Sequence, residues 1–282
     1  MRAMIRQPDA VLRLLGDDDP TTLALVKSQL AQKGADDLED LRALLAAADG
    51  AAAAHLREVV GQIEARDGER IFGDFCARFE EHGDIENAAW RLAATLMPGE
   101  DYTSDQRLLD AWGVEVTHRL RKAATANDRI ETLVEFLAED LRFQGNTDDY
   151  HNINNSLLPE VIETRAGIPI TLSLVYMLVG KRAGLTVEGV GLPGHFIIRH
   201  GENFFDPFHA GQRIGLEQCR AVVARCGLAL TRHHLLPVTP RQMLARILRN
   251  IHALAEHSDE PLAAKIAAWI TSLESRRQEA PK

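Results

Sequence analysis

The stretch "GIPITLSLVYMLVGKRAGLTVEGVGLPGHFIIRHGENFFDPFHAG", residues 167–211, contains the pattern that decides the fold. It begins with an apolar run that has no polar face until Lys181 and Arg182. Pro169 stands where a proline suits the first turn of a helix. A helix without a polar face belongs at the centre of a domain. The stretch therefore predicts a buried central helix followed by short strands.

The predicted strands lie in three segments, namely "LTVEGVGL" (185–192), "HFIIRH" (195–200) and "NFFDPF" (203–208). A two-residue turn at Gly201 and Glu202 sets Ile197 opposite Asp206, so that His195 and Asp206 become diagonal neighbours on one face. A four-residue loop keeps this parity, whereas a three-residue loop separates the pair. A histidine oriented by an aspartate supplies two members of a nucleophilic triad.

The rest of the chain predicts helices. Amphipathic patterns follow one another from Thr21 to about Phe143, and two more helices follow Thr239. The first helices, at 20–66, could stack as a HEAT-type pair, although no repeat period is regular. We therefore predict an α+β, predominantly helical chain with three regions: an all-helical region at 1–143, a core at 144–236 and a terminal helix pair at 237–282.

Composition excludes several classes of partner. The formal net charge of −9 gives no electrostatic support for binding nucleic acid or an anionic membrane. The most apolar run, at 168–180, is too short for a bilayer that needs roughly 20 apolar residues. The first residues lack an export signal, so we expect a cytoplasmic protein. The three cysteines form no CxxC pair and are expected to be reduced core thiols.

The order of central helix, strand, strand with histidine and strand with Asp-Pro resembles the transglutaminase-like superfamily, which has a papain-like fold. The resemblance rests on "QGNTDDYHNINNSLLPEVIETRAGIPITLSLVYMLVGKRAGLTVEGVGLPGHFIIRHGENFFDPFHAG", residues 144–211. More narrowly, the chain is similar to the SirB-type branch of bacterial proteins. The resemblance implies a core of one central helix and a small antiparallel sheet. It also implies a tetratricopeptide-like tail, here cut short after one helix pair.

The resemblance also identifies a missing residue. In catalytic relatives a Gly-x-Cys begins the central helix, and the helix runs without a gap to a glycine that precedes the first strand. Matching Gly184 to that glycine sets Gly167, Ile168 and Pro169 on Gly-x-Cys. His195 and Asp206 then belong to a triad without its nucleophile. This implies a non-catalytic regulatory or protein-binding module whose partner is a protein or peptide.

A second hypothesis is that the protein is an enzyme. Thr171 and Ser173 lie in the first turns of the same helix, where either hydroxyl could act as the nucleophile of a hydrolase or acyl transferase that cleaves peptide amide bonds. Neither occupies the matched position, and both could instead bond to preceding helical carbonyls or cap the first turn. The pair His195 and Asp206 could likewise serve only to tie two strands together.

Three further polar residues match conspicuous positions of the family pattern. Asn155, Arg165 and His209 could line a cleft over the start of the central helix, although Arg165 could equally clamp loop carbonyls.

His195, His200, Asp206 and His209 are residue types that bind metal ions and could together form a metal site. The strand parity sends His200 to the other face, and no zinc-type spacing is present. We therefore expect neither a metal nor another cofactor.

Overall fold

A computed structural model of the chain describes residues 8–17, 19–33, 37–79 and 83–275. Within them the α-helices are α1 (Pro8–Leu15), α2 (Pro20–Ala31), α3 (Leu38–Ala47), α4 (Gly50–Ala77), α5 (Ile85–Leu96), α6 (Thr103–Arg119), α7 (Ala126–Glu135), α8 (Leu158–Thr164), α9 (Pro169–Arg182), α10 (Leu216–Ala224), α11 (Pro240–Ala255) and α12 (Glu260–Glu274). The strands are β1 (Gln144–Gly145), β2 (Ala166–Gly167), β3 (Glu188–Val190), β4 (Ile197–His200), β5 (Asn203–Asp206) and β6 (Gln212–Ile214). The predicted α+β, predominantly helical fold is confirmed.

The chain divides into two compact units, of which the first comprises Met1–Asp74 and Ala94–Glu100. Apolar side chains of its helices share a buried core, which includes Leu15, Leu30, Leu41, Leu56 and Ile63. Within α4, the buried residues Leu56, Val59, Val60 and Ile63 recur at the helical period on which the all-helical prediction rested. The HEAT-type stacking at 20–66 stays a prediction.

The second unit, Phe75–Ala93 and Asp101–Lys282, is built around α9. Nearly every residue of this helix is buried, because α6, α8, the sheet and the turn at Pro207–His209 all contact it. The prediction of a central helix that begins near Pro169 is confirmed. The two helices predicted after Thr239 are also present, as α11 and α12.

Four strands form one antiparallel sheet in the order β3, β4, β5 and β6. Three of them were predicted. The fourth, β6, follows Gly211, in the part of the chain for which only helices were predicted, and that expectation is wrong. Only Ile214 of β6 is buried, so the strand shows no alternation that a sequence pattern could reveal, and its pairing with β5 defines it.

The cysteines differ from one another. Cys76 and Cys219 are buried as predicted, but Cys226 is exposed, so the expectation of three core thiols is wrong for that residue. Cys226 follows the end of α10, where the chain turns away at Gly227 with a φ of +73°. No helix among the described residues is long and apolar enough to cross a membrane.

Candidate functional site

The hairpin of β4 and β5 positions His195 and Asp206. Its register pairs Ile198 with Phe205 and His200 with Asn203, which leaves Gly201 and Glu202 as a two-residue turn. This is the even parity that the sequence predicted, and it sets the histidine and the aspartate on the same face. The Nε2 atom of His195 lies 2.7 Å from Oδ2 of Asp206, which confirms the predicted contact.

The backbone of His195 is fixed by a tight turn. The His195 amide donates to the Leu192 carbonyl over 3.1 Å, and Gly194 has a φ of +74°. With Pro193 before it, this is the sequence that a type II turn requires. The guanidinium of Arg246, on α11, donates to the carbonyls of Leu192 (2.9 Å) and His195 (2.7 Å). The imidazole therefore projects from a turn that is held from both sides.

Asp206 receives three hydrogen bonds. Its Oδ2 accepts from His195 and lies 2.8 Å from Nδ1 of His209, while its Oδ1 accepts from the Phe208 amide over 3.1 Å. The second histidine returns to the carboxylate because Pro207–His209 forms a 3₁₀ turn, in which residues three apart lie above one another. The carboxylate is thus buried and fully engaged.

The charge of Asp206 is stabilised despite its burial. Burial alone would raise the pKa of the carboxyl group, but hydrogen bonds and charge interactions with His195 and His209 outweigh it and hold the pKa below its ordinary value. The aspartate is therefore ionised at neutral pH and acts as an acceptor toward both imidazoles.

At the nucleophile position, Pro169 is buried in the first turn of α9. Thr171 and Ser173 have no solvent exposure, and their hydroxyl oxygens have no hydrogen-bond partner in the described part of the chain. The expectation that these hydroxyls bond to helical carbonyls is therefore wrong. Neither hydroxyl is hydrogen-bonded to His195, and whether either acts as a nucleophile stays a prediction.

Tyr176 is a site residue that sequence reasoning missed. It is fully buried in α9, and its hydroxyl has no partner among the described residues. Burial, together with the negative charge of Asp206, raises the pKa of its phenol. The sequence did carry a signal, because Tyr176 follows Pro169 by seven residues and therefore lies on the same helix face two turns later.

A cleft of about 340 Å³ opens beside the 3₁₀ turn that carries His209. Its walls come from the segment after α7, from β2 and from the 3₁₀ turn, and comprise Gln144, Gly145, Asn146, Thr147, Asp148, Ala166, Phe208, His209 and Ala210. Of the three residues proposed from sequence for binding, His209 alone lines this cleft, and its side chain is 60% exposed.

Asn155 lies beneath the cleft wall. Its buried side chain accepts from the Asn146 amide over 2.9 Å and donates to the carbonyls of Asp149 (2.7 Å) and Tyr150 (3.2 Å). These bonds hold the loop that forms one side of the cleft. The structure thus gives Asn155 a contact with the wall, and its role in binding stays a prediction.

Arg165 ends α8 with a φ of +61°. Its guanidinium donates to the Ile162 carbonyl and lies 4.5 Å from the ring centre of Trp112 and 5.0 Å from that of Phe143. Burial lowers the pKa of this guanidinium, against a smaller opposing effect of Asp105. This geometry favours the structural clamp that the sequence left as an alternative.

One group of potential metal ligands is found among the described residues. Nitrogen atoms of His195 and His209 and a carboxylate oxygen of Asp206 all lie within 4.8 Å of one another. His200, which the sequence analysis had included, points elsewhere, and its Nδ1 atom lies 2.7 Å from the Thr186 carbonyl. The predicted parity of His200 is therefore confirmed.

Comparison with known proteins identifies relatives of this chain. A sequence model of the transglutaminase-like superfamily matches residues 104–249. The UPF0162 protein of Xylella fastidiosa (strain Temecula1) is 34% identical over 157 residues, which cover 51% of this chain and 56% of that protein. The chain thus spans little more than half of that relative.

Two further relatives are similar over different shares of their length. The UPF0162 protein of Pseudomonas aeruginosa is 29% identical over 194 residues, covering 67% of this chain and 71% of that protein. The human F-box only protein 21 is 27% identical over 132 residues, covering 43% of this chain and 20% of that protein. No solved structure matches the chain.

The shared carboxylate makes a prediction about stability. Asp206→Ala should destabilise the fold by roughly 1 to 3 kcal/mol, since it leaves buried donors without their acceptor. Replacing both His195 and Asp206 by alanine should cost less than the sum of the two single changes. Urea unfolding of the four proteins measures this coupling. His200→Ala, on the other face, is the matched control and should be additive with Asp206→Ala. Additivity of the His195 pair as well would contradict the geometry.

The lowered pKa of Asp206 makes a prediction about pH. The unfolded group titrates near 3.8 and the folded group below it, so its stabilising contribution is present above about pH 4. That contribution is lost as the pH falls through the folded pKa. Asp206→Asn removes this titration, so below about pH 4 the free energy of unfolding should fall more steeply in the wild type than in the variant. Urea unfolding measured across acidic pH tests this prediction. Curves of unfolding free energy against pH that run parallel in the two proteins would contradict it.

Proposed function

Because the chain belongs to the transglutaminase-like superfamily, we propose that it is a member without the thiol nucleophile and that it serves as a regulatory or protein-binding module. The observation that carries this proposal is Pro169, buried in the first turn of α9 where the resemblance expects the cysteine. A proline ring has no group that can attack a carbonyl or carry a proton.

No other thiol is suited to replace it. Burial raises the pKa of the Cys76 thiol to about 12 and also raises the pKa of Cys219, so neither forms the thiolate that nucleophilic attack requires. Cys226 is exposed but follows α10, beyond the strand that carries Asp206. The pair of His195 and Asp206 therefore has no thiol partner at the chain position where the family carries its cysteine.

The cleft beside His209 is the surface that we propose for the partner. It combines an exposed imidazole, the carboxylate of Asp148 and the ring of Phe208. Tyr150, which is 42% exposed, makes an edge-to-face contact with Phe208 at 5.9 Å between ring centres. Exposed aromatic rings beside polar groups are typical of protein interfaces, and a peptide segment is the partner that this chemistry suits.

We propose finer assignments on the same premise. The chain would belong to the SirB-type branch, with α11 and α12 as a shortened tetratricopeptide-like tail. The regions 1–143, 144–236 and 237–282 would act as helical region, core and tail in a cytoplasmic protein. The core would use no nucleic acid or membrane as partner. These assignments rest on the resemblance and on the net charge of −9.

The alternative function, an amide hydrolase or acyl transferase that uses Thr171 or Ser173, gives the opposite result in a labelling experiment. After Cys226 has been blocked, acyl-type active-site probes should form no adduct at positions 169 to 173 of the wild type. Pro169→Cys is the matched positive control, because it introduces a thiol at the family's position and should acquire an adduct that depends on His195. An adduct on either hydroxyl of the wild type would establish the alternative and overturn the proposal.

The binding role makes a separate prediction. Peptides selected from a random library against the immobilised full chain should lose about tenfold or more in affinity when His209 is replaced by alanine, since a few residues carry most of the energy of an interface. His233→Ala is the control, because His233 is an exposed histidine outside the cleft. Affinities measured by fluorescence anisotropy that respond equally to both changes would place the binding surface elsewhere.

A further inference from the structure

We propose that Nε2 of His195, Oδ2 of Asp206 and Nδ1 of His209 form a binding site for one divalent transition-metal ion, of which Zn²⁺ is the probe. The site goes beyond the proposed function and does not rest on it, because an ion could occupy these ligands whether or not a peptide fills the cleft. Its basis is the meeting of three ligand atoms from the β4–β5 hairpin and the turn that follows it.

The two separations that involve the carboxylate oxygen are close to those between ligands of a coordinated ion. Zinc binds imidazole nitrogen and carboxylate oxygen at about 2.0 to 2.2 Å, so neighbouring ligands lie roughly 3.0 to 3.4 Å apart. The carboxylate oxygen of Asp206 is 2.7 Å from the His195 nitrogen and 2.8 Å from the His209 nitrogen. An opening of a few tenths of an ångström at each contact therefore admits the ion. Each imidazole then keeps one proton on its other ring nitrogen, Nδ1 of His195 and Nε2 of His209, so both rings bind the ion in the neutral form.

The surroundings of the three ligands suit this exchange. Asp206 is oriented by the amide of Phe208, which occupies its other oxygen and leaves Oδ2 for the ion. Such outer hydrogen bonds are what hold metal ligands in place. His209 lies on a short turn with its side chain 60% exposed, so it can adjust its position, and an ion can enter from the solvent beside it.

The donor set selects the kind of ion. Two imidazoles and one carboxylate are ligands that zinc and other first-row transition ions accept, whereas calcium and magnesium prefer oxygen alone. Two neutral imidazoles and one carboxylate carry a charge of −1, which a divalent ion converts to +1. Arg246, the cation that contacts the His195 turn, has its guanidinium directed at two backbone carbonyls rather than at the ligands. Three protein ligands leave at least one coordination position open.

The sequence argument against a metal relied on the strand parity that removes His200 and on the absence of zinc-type spacing. Two local features bring the ligands together without such spacing. The hairpin brings His195 to Asp206, and the 3₁₀ turn brings His209 back to the same oxygen. His200 is not needed, since three ligands are sufficient for an open site.

The test is a titration of the chelator-treated full chain with Zn²⁺, followed by calorimetry, and with Co²⁺, followed by its visible absorption. The wild type should bind one ion per chain, with a cobalt spectrum that indicates nitrogen and oxygen ligands. His209→Ala should weaken zinc binding by at least about tenfold, because even loss of an outer hydrogen-bond partner costs about 10- to 100-fold. His209 is exposed, so circular dichroism of this variant should match that of the wild type.

The controls address the other sources of zinc affinity. His233→Ala and His200→Ala test other histidines of the chain, and Cys226→Ser removes the exposed thiol; all three should retain the wild-type affinity. Zinc should also raise the melting temperature of the wild type and not that of His209→Ala. Absence of binding, or binding that His209→Ala leaves unchanged while Cys226→Ser abolishes it, would overturn the proposal. Failure here leaves the labelling and peptide results unaffected, so the two proposals can fail separately.

Discussion

The second unit depends on one constraint, the burial of α9 on every side. A helix that has no polar face must be enclosed, and here α6, α8, the antiparallel sheet and the 3₁₀ turn together enclose it. The enclosure sets the hairpin of β4 and β5 against the helix, and the hairpin carries the polar site. The position of the site is therefore a consequence of where the apolar helix must be buried.

The same enclosure creates the chemistry of the site. Asp206 ends β5 and is drawn into this low-dielectric surrounding, where a lone carboxylate would be costly. The chain satisfies it with two imidazoles and one backbone amide. The phenol of Tyr176, in contrast, is buried nearby with no partner among the described residues, and the negative charge of Asp206 opposes its ionisation. The hydrogen bonds of the site thus converge on the carboxylate of Asp206, and His209 connects that carboxylate to the cleft.

The sequence predicted the parts of this arrangement that depend on periodicity. The apolar run of α9 and the even parity of the hairpin are patterns that extend over about a dozen residues. Both were found, together with the contact of His195 and Asp206. Features of two or three residues were not predicted, among them β6 and the contact of His209 with the carboxylate. Strand pairing defines the first and a 3₁₀ turn defines the second, and neither produces an alternating sequence pattern. The exposure of Cys226 escaped as well, since the burial tendency of a residue type says nothing about where a helix ends.

The hydroxyl groups of Thr171 and Ser173 show a second reason why a sequence does not predict every contact. Their helical position favours bonds to carbonyls in the preceding turn, yet in the structure neither Thr171 nor Ser173 has a partner among the described residues. Local propensity describes what a side chain could bond to. It does not describe the packing that decides which of those bonds is made.

The contact between His195 and Asp206 needs no catalytic explanation. Once Asp206 is buried, removal of either partner leaves a charge or a donor unsatisfied, so each residue stabilises the presence of the other. The pair can therefore persist on grounds of folding alone, and its geometry does not distinguish an enzyme from a binding module. What distinguishes them is the group across the imidazole from the carboxylate. Here the central helix begins with Pro169, and the additional donor, His209, lies toward the solvent and the cleft. The chemistry available to the site is therefore that of His209, which reaches the surface, and of the buried carboxylate behind it.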